Sequence, residues 1–347
     1  MQSKFCSLVS AVQRNCDVSD AQFAGDYTLC VYLLKMREFY RWSKGLPLGD
    51  GISSGEVGLW VDQREAYWEG LLDQDYLPIT IDGVDYPPLE SDAINAQLLP
   101  QGYVYGGGLG RFSKPYFFLA ELLSQEPLQG YTALVAGREY ARELAAPPAM
   151  AQGTNIYIRR ESLRRMLWEK VEEWRWRKRE NAMARAIGCY SFDHDLEQAL
   201  EHMTQNELET VILHEIGEVV AGELLGNTWN EMLLTVSRTS AEMLARAVRD
   251  LLADCLSALP ALLNDENQAS LHFYFANLSP LRKDLFPSLE DAYLTWLRNS
   301  NIQRLKTVVR DGKSHWLAVA GQIVDTYDRY RDESATAIEK LVNDSRF

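Results

Sequence analysis

The sequence predicts an α+β protein, predominantly α-helical, in which a small irregular β-containing region is followed by a C-terminal helical array. Three observations carry that expectation. From about Arg160 to Phe347 apolar residues recur at helical spacing. Between residues 51 and 160 this periodicity gives way to short β-prone runs set among Gly and Pro. The composition, 46% hydrophobic and 24% charged over 347 residues, is that of an ordinary globular chain able to bury a core without disulfides. Since a typical domain has ~150 residues, the expected division is 1–160, an N-terminal helix plus the α+β region, and 161–347, a helical domain. The two can also form one compact unit.

Taken in order, DYTLCVYLLKMREFYRW (Asp26–Trp42) is apolar almost all round, which reads as a largely buried helix capped by Asp26 and ended by Gly45 and Pro47. Leu77–Ile81, Tyr103–Tyr105, Tyr131–Val135 and Asn155–Ile158 read as strands. Within ITIDGVDY, Asp82-Gly83 sits between alternating apolar residues. That dipeptide favours the type I′ turn whose twist matches a hairpin. The glycines of YVYGGGLGRFSKPYFF match neither phosphate-binding glycine pattern and read as a connection between strands. If it lines a pocket, Arg111 and Lys114 would meet an anion. Beyond Arg160 the helices break near Gly188, Gly226, Pro260, Pro280, Pro287 and Gly312.

A net charge of −14 repels phosphate backbones, so nucleic acid is not an expected partner. There is no run of 18 apolar residues and no export signature at the start, which points away from the membrane and to the cytoplasm. Five cysteines, odd in number and without a C-x-x-C pair, are expected to be free and mostly buried.

The residues that point to chemistry lie in TQNELETVILHEIGEVVAGELLG. Thr204 and Glu207 have capping-box spacing and Gly226 stands where a helix ends, so one helix of five to six turns is expected. Projected at helical spacing, Leu208, Val211, Ile212, Ile216, Val219 and Val220 form a core face, and Glu215 falls inside it. A buried carboxylate needs an Arg, a proton or a metal beside it. His214 and Glu218 are four residues apart on one side of the helix, a spacing that presents two ligands to one ion. The expectation is a divalent metal (zinc, iron or manganese) held by His214 and Glu218, with Glu215 as third ligand or as general base on metal-bound water. Gly217 and Gly222 fit the close approach of another backbone or a bound group.

This segment resembles the active-site helix of zinc metallopeptidases, whose His-Glu-x-x-His motif is matched by His214 and Glu215 across Ile216-Gly217. Glu218 stands where that family has its second histidine. Further ligands would come from Glu38, His202, Asp250 or Asp254, whereas an Arg in their place argues against a metal. Asp250 and Asp254 also fit an i,i+4 ion-pair ladder with Glu242 and Arg246.

The alternative is a non-enzymatic interaction or scaffold protein. Residues 159–179 carry nine Arg or Lys against four Glu, with Trp168, Trp174 and Trp176, reversing the charge of the whole chain. With Leu163, Leu167, Val171 and Trp174 facing the core, the basic groups lie outside, where they could dock a protein partner or single-stranded nucleic acid. A small-molecule partner also remains open. Cys189, near Asp193 and His194, reads as structural, with Ser191 capping a helix from Phe192.

Overall fold

The computed structural model describes residues 2–110, 114–128, 130–265 and 267–347. The chain divides into two compact units, Met1–Trp168 and Glu169–Phe347. It is α+β and mostly helical, with a five-stranded sheet in the first unit and a helical array in the second.

The first unit opens on α1 (Gln2–Phe23), a helix not anticipated from its sequence, which buries Leu8, Val12, Cys16 and Val18. Next, α2 (Leu29–Ser43) follows Thr28 rather than Asp26 and differs from the buried helix expected. Leu29 is 71% and Leu34 56% exposed; burial is confined to Met36, Glu38, Phe39, Tyr40 and Arg41, because only this C-terminal half meets the core around Val61 and Trp68. The stretch expected to be β begins instead with α3 (Ser54–Glu69), whose Ser53 cap accepts the Glu56 amide. The hairpin forms as its turn chemistry requires. In it β1 (Ile79–Ile81) and β2 (Val84–Tyr86) pair antiparallel, with Asp82 and Gly83 both at positive φ, 49° and 85°.

After α4 (Ser91–Leu98) come β3 (Tyr103–Leu109), β4 (Pro115–Leu128), β5 (Tyr131–Arg142), β6 (Ala149–Gln152) and β7 (Asn155–Arg159), in sheet order β3-β4-β5-β7-β6. All neighbours are antiparallel except β5 and β7. Alternation along β4 sends Phe117 and Leu119 to one core with Leu8, Val12 and Ile79, and Phe118 and Ala120 to another with Val104, Leu134 and Tyr157. The glycine cluster is not a connection, because Gly106, Gly107 and Gly108 lie inside β3. A Cβ on Gly106 would sit 2.1 Å from the Phe118 ring, and one on Gly107 2.3 Å from the Pro88 carbonyl oxygen. These glycines serve packing. Lys114 pairs with buried Asp20 at 3.3 Å, while Arg111 lies outside the described residues.

Helix α5 (Arg160–Arg177) leads into α6 (Ala182–Gly188), α7 (Leu196–Thr235), α8 (Ser240–Leu256), α9 (Ala258–Asn264), α10 (Gln268–Asn277), α11 (Pro280–Leu285), α12 (Pro287–Asn299), α13 (Gln303–Tyr330) and α14 (Ser334–Asn343). The core of the second unit gathers Leu251, Leu252, Trp316, Ile323 and Ile338. Among the described residues no helix is long and apolar enough to cross a membrane. All five cysteines are free, but only Cys16 and Cys255 are buried, fewer than expected.

Helix α7 starts eight residues before Thr204, at an Asp195 cap that accepts the Gln198 amide at 3.0 Å. Thr204 is interior and donates to the Leu200 carbonyl. Ser191 therefore caps no helix at Phe192. Gly226, at φ 71°, breaks α7 where the sequence suggests an end, and a further helical stretch continues to Thr235.

Candidate functional site

The predicted core stripe of α7 is displaced around the helix. Leu208, Val211, Ile212, Ile216, Val219 and Val220 are each only partly buried, whereas Glu207, Glu215, Gly217 and Ala221 are buried. The cause is Gly217: a Cβ there would lie 2.3 Å from the Ala253 carbonyl oxygen, so the absent side chain lets α8 approach α7 backbone to backbone. Gly222 has nothing within 4 Å of such an atom and plays no such part.

This close crossing brings together groups from four helices. His214 donates through Nδ1 to Asp254 Oδ1 at 2.7 Å, and its Nε2 lies 3.4 Å from Glu218 Oε1. Glu218 in turn accepts from Arg249 at 2.7 Å. Asp254, 2% exposed at its side chain, uses its second oxygen to accept from Tyr274 at 2.8 Å and from Arg282 of α11. Asp250 lies 4.0 Å from Arg249. Of the ladder expected along α8, the Glu242–Arg246 pair forms at 2.9 Å, while Asp250 and Asp254 turn toward α7.

The electrostatics follow from this crowding. Burial, reinforced by the charge of Glu218, pushes the Glu215 carboxyl up to about 7. Burial and Glu218 likewise raise Asp250. Glu218 moves the other way: against the cost of burial, its contact with His214 and the Arg249 guanidinium hold it well below the usual carboxylate range. His214 is raised, since Glu218 and Glu215 outweigh burial. Four carboxylates thus face two guanidiniums and one imidazole. With all four carboxylates ionised, the cluster would carry one excess negative charge even with His214 protonated.

The predicted residues His214, Glu215 and Glu218 therefore belong to one site, joined by Asp250 and Asp254. Glu38 lies in the first unit, paired with Arg37 and Arg41 at 3.3 Å. His202 is exposed. Among the described residues no group of three or more His, Cys, Asp or Glu is arranged to hold a metal ion. Arg249 and Arg282 occupy carboxylate oxygens a metal would use.

Buried charged groups that escape sequence reasoning include Glu207 and Arg159. Glu207, 1% exposed, accepts from Ser270 at 2.8 Å, and burial pushes it up to about 7. In the first unit Arg159, fully buried, bridges Glu139 at 2.9 Å and Glu143 at 2.8 Å. Arg159 and Arg165 are thus inside, not on the outer face expected for the basic segment. The exposed remainder of that segment centres on Trp176, 75% exposed, and on a notch of about 170 Å³ lined by Lys170, Trp174, Arg177 and Arg179 together with Glu173, which pairs with Arg177 at 3.6 Å. Trp174 donates to the Arg179 carbonyl at 2.9 Å and fixes the turn. Cys189 is exposed, its thiol 3.4 Å from the Arg185 carbonyl.

Comparison with known proteins gives a family and no activity. The model of the C-terminal domain of a family of unknown function, DUF6866, matches residues 164–345, and that of the N-terminal domain of the same family matches residues 7–159. No curated protein and no solved structure matches the chain. With each half of the family's architecture found once and in order, the chain belongs to the DUF6866 family of unknown function.

Proposed function

We propose that this protein is an enzyme of acid–base type working through the His214 cluster. The observation that supports it most is the excess of negative charge around an imidazole that is 29% exposed and held by Asp254. With Nδ1–H committed to Asp254, His214 exchanges protons through Nε2, and Glu215 keeps a proton in reserve near neutral pH. Arg249 and Glu218 fix the far side of the ring. A proton satisfies the cluster's deficit. A divalent metal, zinc, iron or manganese, held by His214, Glu218 and Glu215 would satisfy it too, and hydrolytic or redox chemistry then follows, provided Arg249 swings away.

The test is NMR titration of His214 and the Glu215 carboxyl, repeated with added zinc and manganese and with elemental analysis of the purified chain. Midpoints near neutral pH, unmoved by metal, support the proton centre. Stoichiometric metal that is lost in a folded His214→Ala/Glu218→Ala variant transfers the proposal to the metal reading. A Glu215 carboxyl titrating at its ordinary value, with no metal bound, removes both. Free thiols throughout fit a reducing compartment, and we place the protein in the cytoplasm on that ground.

A second reading, a scaffold, is favoured by the basic-aromatic notch on a chain of net charge −14. In it an acidic segment of a protein partner docks on Lys170, Arg177 and Arg179 beside Trp176. Binding of a poly-glutamate peptide that is lost at high salt and in Arg177→Glu/Arg179→Glu supports it; no binding at low salt overturns it.

A further inference from the structure

Glu207 of α7 is a buried carboxylate with no charged partner among the described residues. Its Oε1 accepts from the fully buried Ser270 of α10 at 2.8 Å, while its Oε2 is buried without a hydrogen-bond partner. The polar groups around it are hydroxyls: Ser270 from α10, Thr210 from its own helix, and Tyr190 from the segment before α7. Burial holds the Tyr190 phenol above its ordinary range, so it stays neutral. His272, also on α10, turns to the Tyr293 hydroxyl at 3.0 Å, and burial holds its ring below the ordinary histidine value. A carboxyl so placed is stable as a neutral acid and costly as an anion, and burial accordingly pushes it up to about 7.

The helix that Glu207 holds also completes the His214 cluster. Ser270 and Tyr274 lie one turn apart on one face of α10, as Glu207 and His214 lie two turns apart on α7. Tyr274 donates to Asp254 Oδ2 at 2.8 Å, and Asp254 Oδ1 holds His214 at 2.7 Å. Helix α10 is thus tied twice, once to a carboxyl that must be neutral and once to a carboxylate paired with Arg282.

We propose that the Glu207–Ser270 contact is a proton-operated latch: the neutral carboxyl keeps α10 docked, and loss of its proton lifts α10 and withdraws Tyr274 from Asp254. Water then reaches the Glu207 anion, and Asp254, with one donor fewer, holds the His214 proton more strongly. The latch belongs to the fold whatever His214 does, so it stands or falls apart from the acid–base reading.

The experiment uses the full chain. Hydrogen exchange of the α10 amides, corrected for the intrinsic effect of pH, reports lifting, and NMR of the Tyr274 ring reports its withdrawal. A carboxyl that titrates at its ordinary 4.5 when α10 is lifted and at about 7 when it is docked makes lifting roughly tenfold easier at pH 8.5 than at pH 6. Protection of the α10 amides should fall by that factor, with the Tyr274 signals following. Glu207→Gln, which keeps the shape and cannot ionise, should leave protection level over the same range, although it retains every ionisable group of the His214 cluster. Should that variant fail to fold, Ser270→Ala serves instead: removing the hydrogen bond that Glu207 accepts should make the fall steeper than in the parent. Level protection in the parent, an unchanged fall in Glu207→Gln, no steepening in Ser270→Ala, or α10 exchange without a Tyr274 response overturns the proposal.

Discussion

Replacing Glu215 by glutamine isolates the electrostatic cost at the centre of the cluster. Glu215 is 8% exposed, and burial with the Glu218 charge moves its carboxyl from the ordinary 4.5 up to about 7. At about 1.36 kcal/mol per unit, the charged carboxylate is disfavoured in the folded chain by on the order of 3 kcal/mol. The folded state holds this proton more tightly than the unfolded state. Its contribution is therefore fully present below about 4.5, falls as pH rises, and is gone above about 7. Glutamine has the same shape and no charge to bury. The variant should match the parent near pH 4 and exceed it by on the order of 3 kcal/mol near pH 8. Urea denaturation of both proteins at four or five pH values measures this as a midpoint difference that opens with pH while the slopes stay equal. Parallel pH profiles would refute the burial argument, and with it the claim that Glu215 stores a proton at neutral pH.

Other perturbations test the architecture. Gly217→Ala must part α7 from α8 and should cost about 1–3 kcal/mol, whereas Gly222→Ala, with nothing near its Cβ, should stabilise by about 0.5–1 kcal/mol; thermal melts should move in opposite directions. Arg159→Met strands Glu139 and Glu143 in the core of the first unit and should lose about 3–5 kcal/mol by urea denaturation. Asp195→Ala removes the real cap of α7 and should cost about 1 kcal/mol by denaturation, which would not be seen if the helix began at Thr204.

How far the sequence reaches depends on the range of the forces involved. Asp82-Gly83 dictates its own hairpin, because a type I′ turn is a matter of two residues' backbone angles. The convergence of His214, Glu215 and Glu218 is equally local, set by the pitch of one helix. Asp254 was reachable only as one of several acidic candidates. Arg282, Tyr274 and Arg249 carried no signal, since their place depends on how α8, α10 and α11 cross. The stripe of α7 misled for the same reason: one glycine contact rotates the buried face away from the most apolar one. Helix α2 shows the converse. Its leucines announce burial, but all three, Leu29, Leu33 and Leu34, face solvent, because among the described residues of the first unit none covers that end. The long strand β4 was missed where Pro and charged residues blur its alternation, and three register shifts against β5 show that the blur is real bending.

The way α1 is held has a consequence for synthesis. Gln13 exchanges hydrogen bonds with the backbone of Arg142, Cys16 bonds the Phe117 carbonyl, and Asp20 accepts the Leu144 amide, across separations of 129, 101 and 124 residues. Helix α1 thus leaves the ribosome well before this part of its docking surface is made. At about 5–20 residues per second, the strands it packs against emerge on the order of 6–25 s later. Until then Leu8 and Val12 lack the part of their cover that Phe117, Leu119 and Ala141 supply. Early contacts with α3 and β1 can form first, but the seam between α1 and the sheet closes only after β5 is out, and that interval is the period in which the nascent chain most needs protection from aggregation.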